Sequence, residues 1–294
     1  MPIQTDKPNV ALANQKDSAG NHIGALLIEA GSLLPQDAER ALRYAKEKRV
    51  RFGEAAIALG LVTRQEIERI VALQFDYPYL VRGESAVSTE VIAAYAPFSK
   101  KVEKIRALRS QLLLRWFGDS EDHRALAVVS HDRRDGRSYL AANLAVVFSQ
   151  LGEQTLLVDA DMRHPRQHEI FGIPNTVGLS TMLSGRAGPE AAQRIPGLLA
   201  LTVLPSGATP PNPQELLNRA AFIQLLHEWT RFFDVVIFDT CASAAAADAH
   251  IIAPKTKGAL LVTRTHKSKL SRVRAFCDDL TGNGVSLVGA VVNS

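Results

Sequence analysis

Six short apolar runs in the C-terminal part of the chain constrain its fold more than any other feature. They read ALAVVS, TLLVDA, LTVLPS, DVVIFDT, GALLVTR and SLVGAVVN, beginning at Leu126 or just before it, with helical patterns between them. A strand with one wet face alternates polar and apolar residues, whereas a run that is apolar throughout is covered on both faces. Strands of that kind separated by helices predict a mostly parallel sheet with helices on each side, a three-layer α/β domain. A chain of 294 residues has room for that domain and a small second one.

The first run leads directly into VVSHDRRDGRSYLAANLA, Val128–Ala145. A phosphate-binding loop places glycines where backbone N–H groups must turn inward, then a lysine for the phosphate charge and a Ser or Thr for magnesium. Against that pattern the chain offers Gly136, Arg137 and Ser138, with His131 at the first glycine. Asp135, Gly136, Arg137, Ser138 and Tyr139 are therefore the candidate nucleotide-binding residues. Arginine keeps the charge, but its planar guanidinium does not sit over phosphates as an ammonium does. The expectation is retained anion binding, helped by the N-terminus of the following helix, with weak or altered catalysis.

Carboxylates end the later runs. Asp159 and Asp161 close the second, two residues apart and so expected on one side of a strand, and Asp239 closes the DVVIFDT run. Ligands of α/β sheets bind at the C-terminal ends of the strands, where these three aspartates fall. The competing reading of Asp159 or Asp239 is a cap on the next helix. Cys241 follows Asp239 with no histidine to activate it and reads as a small filler.

The N-terminal part has its own pattern. Residues 1–20 are polar and read as a disordered tail. IGALLIEAGSLLPQDAERAL (Ile23–Leu42) then aligns with FGEAAIALGLVTRQEIERIV (Phe52–Val71), pairing Gly24 with Gly53 and Gly31 with Gly60. Each copy reads as a helix stopped by glycine and a second helix starting near Pro35 or Thr63, where Thr63 and Glu66 form a capping box. A small helical two-repeat domain over 21–81 is expected. A linker over 82–98 then leads to an amphipathic helix at SKKVEKIRALRSQLLLRWF (Ser99–Phe117), which opens the domain of 99–294.

Composition excludes several classes. A net charge of +4, from 34 basic and 30 acidic residues in scattered order, does not favour nucleic acid. Two cysteines make no disulfide framework, which fits a reducing cytoplasm. The N-terminus lacks the apolar core of a signal peptide, and no apolar run reaches membrane-spanning length. A membrane role is expected to come through a partner.

From about Glu103 to Ser294 the chain resembles the cytoplasmic domain of the bacterial tyrosine kinases, P-loop enzymes paired with polysaccharide chain-length regulators. The resemblance rests on AANLAVVFSQLGEQTLLVDADMRHPRQHEIFGI, on LPSGATPPNPQELLNRAAFIQLLHEWTRFFDVVIFDT, and on EKIRALR, an E-x-x-R-x-x-R pattern. Within the family it is similar to the kinase-like proteins of exopolysaccharide clusters, the EpsG type. The resemblance implies ATP and Mg2+ as cofactors, with Ser138, Asp161 and Asp239 around the metal. It implies Asp159 as the base for a tyrosine hydroxyl with Arg137 at the phosphates, and Asn293 at the adenine edge, against a reading of Asn293 as a chain-end residue. Glu103, Arg106 and Arg109 are implied in oligomerisation, and a membrane-bound chain-length regulator as partner. The family's C-terminal tyrosine cluster has no counterpart before Ser294, so the acceptor is expected among Tyr44, Tyr77, Tyr79, Tyr95 and Tyr139 or on another protein.

The N-terminal repeat resembles the small domain at the front of type II secretion and type IV pilus ATPases. Some of these bind cyclic di-GMP through an arginine, whose first place is taken here by His22 while Arg51 precedes the second copy. A protein-docking module is the other reading. Two functions therefore stand at this stage: a Mg-ATP-dependent protein-tyrosine kinase controlling exopolysaccharide chain length and export, and a non-catalytic nucleotide-binding assembly subunit of the same system. A ParA-type partitioning ATPase is disfavoured by PPNPQELL and by the EKIRALR helix.

Overall fold

A computed structural model describes residues 23–74, 78–118 and 123–293. The expectations for the tail of 1–20, for His22, for Tyr77 and for Ser294 lie outside these residues. The chain divides into two compact units, 1–77 and 78–294.

In the first unit, helix α1 (23–29) is followed by α2 (Pro35–Lys48), α3 (Phe52–Ala58) and α4 (Arg64–Gln74). The repeat is visible in the backbone. Gly31 and Gly60 both adopt left-handed conformations, at φ 69° and 68°, and each ends the first helix of its copy. Thr63 and Glu66 form the reciprocal cap: the Thr63 amide donates to the Glu66 carboxylate at 2.6 Å, and the Glu66 amide donates to the Thr63 hydroxyl at 3.2 Å. Leu27, Leu33, Phe52, Val62 and Ile70 close the core of this unit.

The second unit contains α5 (Ile92–Tyr95), α6 (Lys100–Arg115), β1 (Ala125–Val129), α7 (Arg137–Ser149), β2 (Thr155–Asp159), α8 (Gln167–Phe171) and α9 (Leu179–Leu183). It continues with β3 (Gln193–Ile195), β4 (Leu198–Leu204), α10 (Pro213–Leu217), α11 (Ala220–Phe232), β5 (Val235–Asp239), α12 (Asp248–Thr256), β6 (Gly258–Arg264), α13 (Leu270–Gly282) and β7 (Ser286–Asn293). The strands form one sheet in the order β3-β4-β2-β5-β1-β6-β7, parallel except for β3. β3 is an addition to the six expected strands; its QRI has no apolar run to announce it.

Strand alternation sorts the core into two layers. Leu126 and Val128 of β1, with Val235 and Ile237 of β5, pack with α5, α6 and α7; Ala127, Val129, Val236 and Phe238 pack with α9 to α13. Helix α7 is buried on nearly every side, as its apolar sequence requires. By the same parity Asp239, two residues beyond Ile237, falls on the α7 side of the sheet.

The segment expected as a linker, 82–98, is instead part of this unit. Val87, Val91, Ala93, Ala94 and Tyr95 are buried in the layer beside α7. The Ser88 amide donates to the Ile170 carbonyl at 2.7 Å, and the Tyr95 hydroxyl donates to the Val87 carbonyl at 2.5 Å. Buried Asn143 of α7 is the clasp. Its Oδ1 accepts from the Ala93 amide at 2.9 Å, and its Nδ2 donates to the carbonyls of Tyr139 (2.9 Å) and Glu90 (3.2 Å). Linker-like composition misled here because small residues (Ala, Ser, Gly) also suit a strap pressed against a helix. Asn143→Ala is expected to cost about 2–3 kcal/mol, from a buried amide left unpaired and a small cavity. Chemical denaturation should show that loss, and a limited-proteolysis cut within 82–98 should appear.

Candidate functional site

The loop from Ser130 to Gly136 joins β1 to α7. Its turn uses two left-handed residues, Gly136 at φ 97° and Arg134 at φ 63°. Glycine enters that region freely, whereas an arginine there costs about 1–2 kcal/mol. Any Cβ at position 136 would also collide with the amide of Asn293. The loop is tied from outside as well. The amides of Ser243 and Ala244 donate to the carbonyls of Ser130 (3.1 Å) and His131 (3.0 Å), and the His131 ring meets the Ser243 hydroxyl at 3.0 Å. His131 is thus accommodated where a glycine was expected.

Arg137 does not reach into open space. It is 7% exposed; its Nε donates to the Thr240 carbonyl at 2.8 Å, and its Nη1 donates to the Asp132 carbonyl at 3.0 Å and to the Ser130 hydroxyl. Nη2 stands 4.0 Å from Asp161 Oδ2. One guanidinium therefore links the loop to the ends of β5 and β2, a task that suits a planar fork of donors and not an ammonium.

The three aspartates come together, but not as equals. Asp159 and Asp239 are register partners on adjacent strands and both are fully buried. Asp159 Oδ2 accepts the amides of Arg166 (2.9 Å) and Gln167 (2.8 Å), so it does cap α8. Asp239 Oδ2 accepts from Gln167 Nε2 at 2.8 Å, and the nearby Ser138 side chain favours its charged form. Oδ1 of each has no partner among the described residues. Burial, then the neighbouring Asp239 charge, pushes Asp159 well above the usual carboxylate range; burial raises Asp239, opposed first by Arg137. Asp161 lies beyond the end of β2 rather than in it, and its Oδ1 accepts the amides of Arg163 (3.2 Å) and His164 (3.0 Å).

A cleft of about 260 Å³ opens over this floor, lined by Gly136, Arg137, Ser138, Tyr139 and Asp161, among others. Neither Asp159 nor Asp239 is on its wall; the carboxylate that meets the cleft is Asp161. Asp135 is not on the wall either. Its carboxylate accepts from the Ser268 hydroxyl at 3.3 Å. Asn293 Nδ2 donates to the Asp135 carbonyl at 2.6 Å and so braces the loop.

Two orphaned, buried carboxylate oxygens beside a hydroxyl fit a divalent cation, which would cancel the charge that burial opposes. Among the described residues no three His, Cys, Asp or Glu side chains close into a cage of their own. That suits magnesium, which is ordinarily held by one or two carboxylates together with phosphate oxygens and water. Cys241 is buried, and its thiol is pushed up to about 12 by burial and the nearby Asp248 and Asp161 charges, as a filler would be.

Gln167 is the residue that sequence reasoning missed. Fully buried, it donates from Nε2 to Asp239 and to the Ser138 carbonyl (3.2 Å), and its own amide holds Asp159. Nothing in a polar stretch marks one glutamine; the signal is a contact across 72 positions. Gln167→Leu is expected to weaken Mg2+ binding about tenfold and to move the pH of half-maximal binding upward, since Asp239 loses a donor that favours its charged form. Mg2+ titrations at several pH values read both effects.

Glu103, Arg106 and Arg109 of the E-x-x-R-x-x-R pattern lie on α6. Arg106 pairs with Glu103 on its own helix at 3.1 Å, while Arg109 Nη1 donates to the Val147 carbonyl at 2.7 Å. Arg109 thereby ties α6 to the C-terminal part of α7.

No protein-family model matches the chain. Tyrosine-protein kinase YwqD of Bacillus subtilis is 35% identical over 209 residues, covering 71% of this chain and 87% of that protein. The crystal structure of the chimerical protein CapA2B2 is 32% identical at a TM-score of 0.66, covering 77% of this chain and 98% of the other. The kinase domain of the Escherichia coli tyrosine kinase Etk is 30% identical, also at a TM-score of 0.66, covering 69% of this chain and 79% of the other.

Proposed function

The chain belongs to the bacterial tyrosine-protein kinase family, and from that premise we propose that its cleft transfers the γ-phosphoryl group of Mg-ATP to a protein tyrosine. The observation that carries this reading is the register-paired, buried Asp159 and Asp239, each with an unpaired Oδ1, beside Ser138 at the start of α7. Ser138, Asp239 and Asp161 would hold magnesium or its waters. Bound there, magnesium would neutralise phosphate charge as it develops.

The amides at the start of α7, from Gly136 to Tyr139, present the helix N-terminus to phosphate oxygens. Arg137 keeps those amides in place and adds one positive charge at the floor. Asp161, on the cleft wall, faces the magnesium position, while Asp159 braces α8 and shares charge with Asp239. Such transfer depends mainly on position and charge stabilisation, so the loss of any single base costs less than the loss of the loop. Tyr95, buried and bonded to Val87, is unsuited as an acceptor; Tyr44, Tyr79 and Tyr139 remain among the described tyrosines.

The biological setting follows from the family resemblance: control of exopolysaccharide chain length and export, as a homo-oligomer beside a membrane-bound chain-length regulator. Among the described residues no helix is long and apolar enough to cross a membrane, so attachment would come through that partner. A second reading, a non-catalytic nucleotide-binding subunit, draws on one observation: most of the Arg137 guanidinium is already committed to its own loop. Incubating the protein and its regulator with labelled ATP and mapping phosphotyrosine separates them. Label on tyrosine supports the kinase; measurable Mg-ATP binding with no label supports the assembly subunit.

A further inference from the structure

A triphosphate cradle of this type calls for one cation at the start of its helix, and Arg137 fills that place. The cleft nevertheless has three more arginines on its wall, Arg133, Arg134 and Arg166, against a single lining carboxylate, Asp161. The extra three differ from Arg137 in being exposed, so they form a rim and not a floor. Two are held in place. Arg166 Nη2 lies 2.8 Å from Glu90 Oε1, and Arg133 Nη2 lies 3.2 and 3.0 Å from the two ring nitrogens of His164. The third, Arg134, occupies a left-handed backbone position that glycine would fill without strain.

Magnesium cancels half the charge of a triphosphate, and Arg137 with the α7 amides faces the remainder. A cationic mouth above the floor faces what approaches the cleft next. Resting on the kinase reading above, we propose that Arg133, Arg134 and Arg166 determine acceptor specificity by docking acidic residues that flank the target tyrosine.

The test uses the full chain and two fluorescein-labelled heptapeptides, one with tyrosine between glutamates and one with tyrosine between lysines. Anisotropy titrations are run with saturating Mg-ADP and again without nucleotide. The glutamate peptide is expected to bind about tenfold tighter than the lysine peptide, alongside Mg-ADP and with steep salt dependence. Arg134→Glu is expected to remove most of that preference. Arg134→Gly relieves the backbone and should be at least as stable as the parent, yet bind the glutamate peptide more weakly. Equal binding of the two peptides overturns the proposal, and so does a glutamate peptide that displaces Mg-ADP, because the arginines would then serve phosphates. Failure of Mg-ADP to bind the parent protein counts against the kinase reading instead, and the nucleotide-free titration still reads the rim.

Discussion

Asp239→Asn is expected to make the metal-free protein more stable and, in the same molecule, to abolish magnesium-dependent nucleotide binding. Asp159 and Asp239 lie side by side, both fully buried, and among the described residues each leaves Oδ1 unpaired. Both are raised above the usual carboxylate range, burial being the first cause for each. The folded protein therefore binds more protons than the unfolded chain. The pair's contribution to stability is fully present below the ordinary carboxylate pKa and is lost as pH rises through the raised values. An asparagine at 239 removes one of the two charges, keeps an oxygen for Gln167, and can offer an N–H to Asp159. The expected gain near neutral pH is about 1–3 kcal/mol, the worth of a hydrogen bond to a charged group. The pH dependence of unfolding should flatten together with it. Phosphoryl transfer should fall on the order of 100-fold or more, as expected when a transition-state charge loses its metal. Denaturant melts from acid to neutral pH, set beside a magnesium titration, read both halves. Lower stability at neutral pH would show that the pair is not the repelling couple described here.

Arg137→Lys, which restores the common residue of phosphate loops, is expected to damage this one. The guanidinium meets the Thr240 carbonyl, the Asp132 carbonyl and the Ser130 hydroxyl in diverging directions. A lysine ammonium is one point on a flexible stem and cannot serve all of them. Each buried carbonyl left unpaired costs about 1–3 kcal/mol, so a loss of about 2–4 kcal/mol in stability is expected. Nucleotide affinity should fall by at least about tenfold as the loop loosens from β5. The result bears on catalysis directly. A loop that merely tolerated arginine would gain turnover with lysine; a loop organised around arginine loses it. The second outcome is the one this geometry supports.

These two residues show where sequence was informative and where it stopped. The sheet could be read because its strands are apolar without alternation, and the two helical repeats because Gly31 and Gly60 punctuate them at equal spacing. The convergence of Ser138, Asp161 and Asp239 followed from strand ends in a parallel sheet. What could not be read was depth. Asp159 and Asp161 share a motif, yet a strand that ends at Asp159 leaves one buried against Asp239 and sends the other to the cleft. Arg137 looked like an awkward substitute because its carbonyl partners lie on β5 and in its own loop. Arg109 belongs to a helical charge pattern, and only the packing of α6 beside α7 shows it bonded to the Val147 carbonyl. The strap of 82–98 was hidden for the same reason: its clasp, Asn143, lies in a helix that reads as uniformly apolar.

The central claim is that a buried carboxylate pair and the start of α7 form one magnesium-nucleotide site. Calorimetric titration of the protein with Mg-ATP, in two buffers of different ionisation enthalpy, tests it most directly. Binding should require magnesium, release protons as the raised carboxylates become ionised, and disappear in Asp239→Asn. Binding of ATP that is indifferent to magnesium, or that takes place with no proton release and survives Asp239→Asn, would contradict it.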